Sequence, residues 1–181
     1  MNFIQKTLAG LAIAATSMFP VEAQNVEQMD PHFRDHYNLA LAVEQVGIDF
    51  LLNPSECFAR GNDNVYGWYA AGLKQLVVCQ QNAFSSKEVE WTAEDLDTLR
   101  HEVHHLVQDC RDGRLQGGLH LVYQDPVSLA KSALSYETIA QILKAYSDLS
   151  DYNQMMEIEA FAVAALDDPQ EQLRDIQTYC M

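Results

Sequence analysis

The sequence predicts an α+β fold, mostly helical, with a small antiparallel sheet that precedes a histidine-rich helix. Three observations support this fold class. Segments with apolar residues at three- and four-residue spacing dominate the second half of the chain. Two short runs rich in β-branched and aromatic residues, VYGWYAA and KQLVVCQ, come before them. A short turn at Gly72 separates the two runs, so we expect them to form a hairpin.

Each helix is predicted from its apolar spacing and its end signals. The first should cover residues 35–52 and end at Asn53-Pro54-Ser55. The histidine-rich helix should begin after Thr92, a natural N-cap. The last should begin after Asp168, with Pro169 at its first position. Two more helices are predicted over residues 135–149 and 152–166, and residues 112–126 should be irregular.

The N-terminal segment has the layout of a secretory signal peptide. Residues 1–23 contain Lys6, then an apolar run, then Val21-Glu22-Ala23. We expect cleavage near Ala23 and export of the mature chain, periplasmic or secreted. Residues 24–181 contain no repeat or linker and should form one domain, without stable membrane insertion after signal removal.

The charge of the chain excludes some partners. The formal net charge of the 181 residues is -15 at pH 7, and 48% of the residues are hydrophobic. This is a globular composition with an acidic surface, which repels phosphate backbones and anionic headgroups. We therefore expect no nucleic-acid partner.

Four cysteines predict two disulfides in an exported chain: Cys57, Cys79, Cys110 and Cys180. Three connectivities are possible. Of these we favour Cys57 with Cys79 and Cys110 with Cys180.

The motif HEVHH predicts a metal site. His101 and His105 lie four residues apart, so both project from one side of a helix. Two imidazoles at this spacing can bind one tetrahedral Zn²⁺ through ring nitrogens. Glu102 lies between them, where it can take a proton from zinc-bound water as a general base. His104 is rotated away, and we expect it to support a ligand or to face solvent.

A glutamate should complete the site, because zinc that keeps one position open typically takes three protein ligands. Residues 152–166 contain two candidates, Glu157 and Glu159. We favour Glu159, because a carboxylate on an apolar helix face is costly to bury unless it is paired or bound to metal. Glu157 stays the alternative, since its neighbours on the helix are polar.

This combination of segments resembles the zincin metallopeptidases, in a small exported form of the gluzincin type. HEVHH is similar to their ligand helix, EIEAFA to their glutamate helix, and KQLVVCQ to the strand that aligns the substrate. The resemblance covers residues 75–166 and implies hydrolysis of peptide bonds in a peptide or protein substrate. It also implies one Zn²⁺ per chain, held by the two motif histidines and Glu159, with Glu102 as the base.

The chain departs from the larger zincin patterns in two places. Arg111 lies where metzincins have a third histidine, and no Asn-Glu-x-x-Ser-Asp pattern is present. An oxyanion-stabilising residue is not identified, and the candidates Tyr136, Tyr152 and His120 have no supporting pattern. His32 and His36 are also four residues apart, and we interpret them as the start of the first helix.

Two further function classes compete with the peptidase. One is a non-catalytic domain that keeps zinc as a structural clamp or binds a peptide. The other is a disulfide-stabilised helical interaction module without metal. The motif glutamate favours the enzyme, because a structural zinc site does not need a base.

Overall fold

The computed structural model describes residues 31–59, 65–112, 115 and 117–181. The predicted signal peptide, residues 1–23, lies outside the described residues. The elements in chain order are α1 (Pro31–Gln45), β1 (Asp49–Leu52), β2 (Gly67–Ala70), β3 (Gln75–Val78), α2 (Ala93–Cys110), α3 (Pro126–Ala133), α4 (Tyr136–Ala145), α5 (Asp151–Ala165) and α6 (Pro169–Tyr179). The predicted fold class is confirmed: the chain is mostly helical, with a small three-stranded sheet that precedes α2.

The sheet differs from the predicted hairpin by one strand. Its order is β1-β3-β2, in which β3 is antiparallel to β2 and parallel to β1. The prediction of one helix over residues 35–52 was wrong, because α1 ends at Gln45 and Gly47 turns the chain with a φ of +83°. Phe50 fits helical spacing, but its backbone pairs with Leu76 of β3.

The central position of β3 changes the assignment of the edge strand. KQLVVCQ, which we expected to align a substrate, has a neighbour on each side. The two edge strands are β1 and β2, and β2, in VYGWYAA, is the one that contacts α2. A short 3-10 turn over Ala71–Leu73 and a left-handed Lys74 join β2 to β3.

The histidine-rich helix α2 lies at the centre of the molecule. Thr92 caps it as predicted and forms a capping box with Asp95. The helix contacts α1, α5, α6, β2 and β3, so it has buried side chains on all its sides. Its apolar residues join the core formed with α1, the sheet and α6: Leu99, Val103, Leu106, Val107 and Cys110.

The remaining helices begin at side-chain caps. Asp168 caps α6 as predicted, and Asp125, Ser135 and Ser150 cap α3, α4 and α5. The short helix α3, which sequence spacing did not predict, packs against α5. No helix among the described residues is both long and apolar enough to cross a membrane.

Both predicted disulfides are confirmed. Cys57 bonds to Cys79, beside the sheet. Cys110, the last residue of α2, bonds to Cys180 directly after α6, and we call this bond the α2–α6 disulfide. Two disulfides are typical of proteins that fold in an oxidising compartment.

Candidate metal centre

The Nε2 atoms of His101 and His105 lie together between α2 and α5. The two atoms are 3.1 Å apart, and the rings meet edge to face. Phe161 of α5 packs on the His101 ring at 4.3 Å between centroids. Both side chains are almost buried, with 10% and 8% of their surface exposed. The spacing of the motif therefore produces the predicted pair.

Glu157, and not Glu159, is the carboxylate that faces this pair. Its Oε2 atom lies 3.5 Å from the Nε2 atom of His101 and 3.5 Å from that of His105. Ligand atoms of a tetrahedral zinc ion, each about 2.0–2.1 Å from the metal, are about 3.3 Å from one another. The three atoms form nearly this triangle, so a point about 2 Å from all of them lies close to their plane. The identity and the spacing of these three atoms fit a tetrahedral metal ion.

Glu102 lies beside the triangle. One of its carboxylate oxygens is within 4.8 Å of a ring nitrogen of each motif histidine. Burial raises the pKa of Glu102, while the charges of His101 and His105 oppose this rise. The backbone N–H of Tyr69 on β2 donates a hydrogen bond to the carboxylate. A raised pKa makes this carboxylate a better proton acceptor than an ordinary glutamate side chain.

The close approach of β2 to α2 places the Tyr69 amide there. A Cβ atom on Gly67 would lie 2.7 Å from Thr98 Cγ2, 2.7 Å from the Val77 carbonyl oxygen and 3.2 Å from Glu102 Cγ. Only glycine allows the strand and the helix to come so close.

The triangle is an ion pair when no metal is bound. Burial lowers the pKa of His105, but the charge of Glu157 outweighs burial and raises this pKa to about 9. Burial raises the pKa of Glu157, but the charge of His105 and hydrogen bonds from both imidazoles bring it below its ordinary value. A metal ion that took His105 as a ligand would therefore displace a proton.

Glu159, the predicted third ligand, lies in a different network. Its carboxylate is fully buried and accepts four hydrogen bonds. His104 Nε2, Gln108 Nε2 and the Val122 amide donate to Oε1, and the Tyr123 amide donates to Oε2. The predicted position of Glu159 beside His101 and His105 is thus corrected. Its burial on an apolar face has a structural cause, namely four donors from α2 and from the segment before α3.

His104 belongs to this second network and does not face solvent. Its side chain is fully buried, and Nε2 lies 2.9 Å from Glu159 Oε1. Burial lowers the pKa of His104, so the ring is neutral at pH 7, and its Nε2–H donates the hydrogen bond to Glu159. Of the two expected roles, the solvent-facing one was wrong, and the role of His104 in supporting a ligand stays a prediction.

Gln108 joins the two networks. Its Oε1 atom lies 2.8 Å from Nδ1 of His105, and its Nε2 atom donates to Glu159 and to the Met156 carbonyl oxygen. Sequence reasoning missed this residue, although its position one turn after His105 is the available signal.

Tyr146 is a second residue that the sequence did not indicate. It lies directly after α4, and its hydroxyl hydrogen-bonds to Glu157. The three oxyanion candidates show no such contact: Tyr136 is 80% exposed, the Tyr152 hydroxyl accepts from the Leu121 amide, and His120 is half exposed near Asp112.

His36 lies within α1, as predicted for this segment, and packs away from the motif. It is buried against the Arg100 guanidinium, which also bonds to the Ala164 carbonyl oxygen and to Asp167. This contact joins α1 and α2 to the end of α5. The side chain of His32 lies outside the described residues.

Comparison with known proteins identifies a family for this chain. No curated protein resembles the chain significantly, and neither does any solved structure. A family model described as a domain of unknown function, DUF8637, matches residues 31–181, which include every residue of the candidate centre. The chain therefore belongs to the DUF8637 family.

Proposed function

We propose that the chain is an exported zinc-dependent metallopeptidase that resembles the gluzincins, with His101, His105 and Glu157 as ligands and Glu102 as general base. The observation that carries the proposal is the triangle of two Nε2 atoms and one Oε2 atom with sides of 3.1, 3.5 and 3.5 Å. Two histidines and a glutamate are a standard ligand set for catalytic zinc.

The residues around the triangle support hydrolysis. Zinc bound there would polarise a peptide carbonyl and lower the pKa of water. Glu102 would take a proton as the oxygen of water adds to the carbonyl carbon, and would pass it to the amine nitrogen as the C–N bond breaks. The Tyr146 hydroxyl, which hydrogen-bonds to Glu157, belongs to the same cluster.

The edge strand supports a peptide as the substrate. The Cys79 amide donates to the Tyr66 carbonyl oxygen, so alternate residues from Tyr66 onward direct their backbone groups toward β3. The Tyr69 amide points the other way, toward Glu102. A peptide extended along this side of β2 would therefore pass the base.

Export is the second part of the proposal. Residues 1–23 have the pattern of a signal peptide with cleavage near Ala23, and the two disulfides are typical of oxidising compartments. The whole chain should therefore be produced with its N-terminal segment in a host that exports proteins.

Zinc content tests the ligand set. We expect about one zinc per chain in the exported wild type. Glu157→Gln should lose it, because the amide oxygen is a weaker ligand. The control is the exposed Glu94→Gln, at the start of α2, which should keep zinc. Glu159→Gln, two residues further along α5, should bind zinc more weakly but not lose it, because its one oxygen can still accept from Gln108. Loss of zinc from Glu159→Gln alone would restore the sequence prediction and refute our ligand assignment.

Turnover tests the base. We expect the wild type to cleave fluorophore-labelled casein and a chelator such as phenanthroline to stop cleavage. Glu102→Gln should keep zinc and lose about 100-fold or more in rate, as is typical for removal of a general base. Glu94→Gln, an exposed glutamate at the start of the same helix, should cleave normally. Full activity of Glu102→Gln would refute the assignment of the base.

The low exposure of the ligands favours one alternative, a non-catalytic zinc or peptide-binding domain. Only 17% of the Glu157 side chain is exposed, and the two imidazoles are more buried. A structural zinc ion needs no open side and no base. Stoichiometric zinc without cleavage of any peptide in a library would support this alternative.

A further inference from the structure

We propose that Gln108 is a positioning residue that fixes the tautomer and the direction of the His105 ring, so that Nε2 of His105 presents its lone pair to a metal. The inference rests on the proposed zinc site. It adds a residue outside the ligand set, which acts through His105.

The orientation of the Gln108 amide is determined by its neighbours. Gln108 is fully buried. Its Nε2 atom lies 3.1 Å from the Met156 carbonyl oxygen and 3.1 Å from Glu159 Oε1. Both partners only accept hydrogen bonds, so the amide nitrogen must face them. A flipped amide would place its oxygen against two acceptors.

The amide oxygen therefore faces His105 and must accept a hydrogen bond. Gln108 Oε1 and His105 Nδ1 are 2.8 Å apart, so Nδ1 carries the proton. In an imidazole that is not doubly protonated, Nε2 then has the free lone pair. This is the nitrogen that points to His101 and Glu157. The tautomer required for a ligand is thus set before any metal binds.

Glu159 keeps Gln108 in place. The carboxylate is itself held by the Val122 and Tyr123 amides and by His104. Rotation of Gln108 would leave the buried charge of Glu159 with one donor fewer and would free a buried amide group. The segment before α3 and helix α5 therefore act together to support the His105 ring.

His101 has no equivalent support among the residues that the structure describes. Its Nδ1 atom is buried without a hydrogen-bond partner there. Its ring is held by contact with Phe161. Loss of the Gln108 amide should therefore affect one ligand and leave the other unchanged.

The test compares Gln108→Met with Gln172→Met in the exported full chain. Gln172 is also a buried glutamine that contacts α2, since its Nε2 donates to the Arg100 carbonyl oxygen, but it lies in another network. Competition with a chromophoric chelator measures zinc affinity. We expect Gln108→Met to bind zinc about 10- to 100-fold more weakly than wild type, and Gln172→Met to bind it as wild type does. Equal affinity of Gln108→Met and wild type would overturn the inference.

A spectroscopic reading of the wild type completes the test and does not depend on the folding of a variant. In the zinc-loaded chain labelled with ¹⁵N, long-range proton–nitrogen correlations should show a protonated Nδ1 and a metal-bound Nε2 for His105. A metal-bound Nδ1 would overturn the inference while the zinc site itself stands. A wild-type chain that takes up no zinc would overturn both the proposed function and the role of Gln108.

Discussion

Replacement of Glu159 by glutamine should destabilise the zinc-free chain strongly. The two side chains have the same shape, so Glu159→Gln creates no cavity and changes only the polar contacts. In the wild type, Oε1 accepts from His104, Gln108 and the Val122 amide, and Oε2 accepts from the Tyr123 amide. Glutamine can place its one oxygen where Oε1 lies in the wild type. Its NH₂ group then faces the Tyr123 amide, so that two hydrogen-bond donors meet without an acceptor.

The size of the effect follows from these four contacts. Loss of a hydrogen bond to a charged acceptor costs about 1.5–3 kcal/mol. The other three bonds weaken because their acceptor becomes neutral. Part of this loss is offset, since a buried charge no longer has to be desolvated. We therefore expect a loss of about 2–3 kcal/mol in the free energy of unfolding, which lowers Tm by about 5–10 °C in a chain of this length.

Urea unfolding of the zinc-free chain with intact disulfides measures this loss. Burial raises the pKa of Glu159, but the His104, Val122 and Gln108 hydrogen bonds outweigh it, so the folded-state pKa lies below the ordinary 4.5. The stabilisation is then fully present above pH 4.5 and disappears as pH falls through the folded-state pKa. The difference from wild type should be full at pH 7 and shrink at strongly acidic pH. A loss below about 0.5 kcal/mol at pH 7, equal to that of the exposed control Glu94→Gln, would refute the network.

Three further predictions concern stability. Gly67→Ala should lower the free energy of unfolding by about 1–3 kcal/mol, because the added Cβ pushes β2 away from α2. Thr98→Ala in the same chain should recover part of this loss, because Thr98 Cγ2 is one of the two atoms at 2.7 Å. Chemical unfolding of the single and double variants checks this, and additive losses would contradict it. Asp175→Asn should raise Tm at pH 8 but not below pH 3.8. Burial and Glu171 raise the pKa of Asp175 to about 6, and one of its buried oxygens has no partner in the described chain, so the ionised form destabilises the fold only at higher pH. An equal effect at both pH values would contradict this reasoning. Removal of the α2–α6 disulfide, whose loop spans 70 residues, should cost about 1 kcal/mol more than removal of the other, whose loop spans 22, as serine variants compared by calorimetry would show.

The sequence predicted what depends on local spacing. The caps at Thr92 and Asp168 and the pairing of His101 with His105 follow from helix periodicity. The strand β1 was missed, because its four residues continue the helical spacing of α1. Their strand conformation depends on pairing with β3, more than twenty positions away. Tyr146 was missed for the same reason, since only the packing of α4 on α5 brings it to Glu157.

The choice between Glu157 and Glu159 shows a more specific limit of sequence reasoning. The argument that a carboxylate on an apolar face needs a partner was sound, because Glu159 is fully buried and has four donors. The partner, however, need not be a metal. Backbone amides from a distant irregular segment satisfy Glu159, and no helical wheel of α5 contains them. Glu157 lies on the more polar side of α5, which turned out to be the side that faces the histidines.

The contrast between the two glutamates also bears on function. The Glu159 carboxylate has its hydrogen bonds supplied by donors of the fold itself, as expected of a structural carboxylate. Glu157 and Glu102 lie instead beside two imidazoles in the same cluster, with the Tyr146 hydroxyl and the Tyr69 amide as further partners, and burial alone raises the pKa of both acids. A buried ion pair of this kind is often no more stable than apolar residues of the same volume. A gain in stability is therefore a weak reason for the cluster, and two carboxylates with two imidazoles around one point suit the divalent cation that we propose.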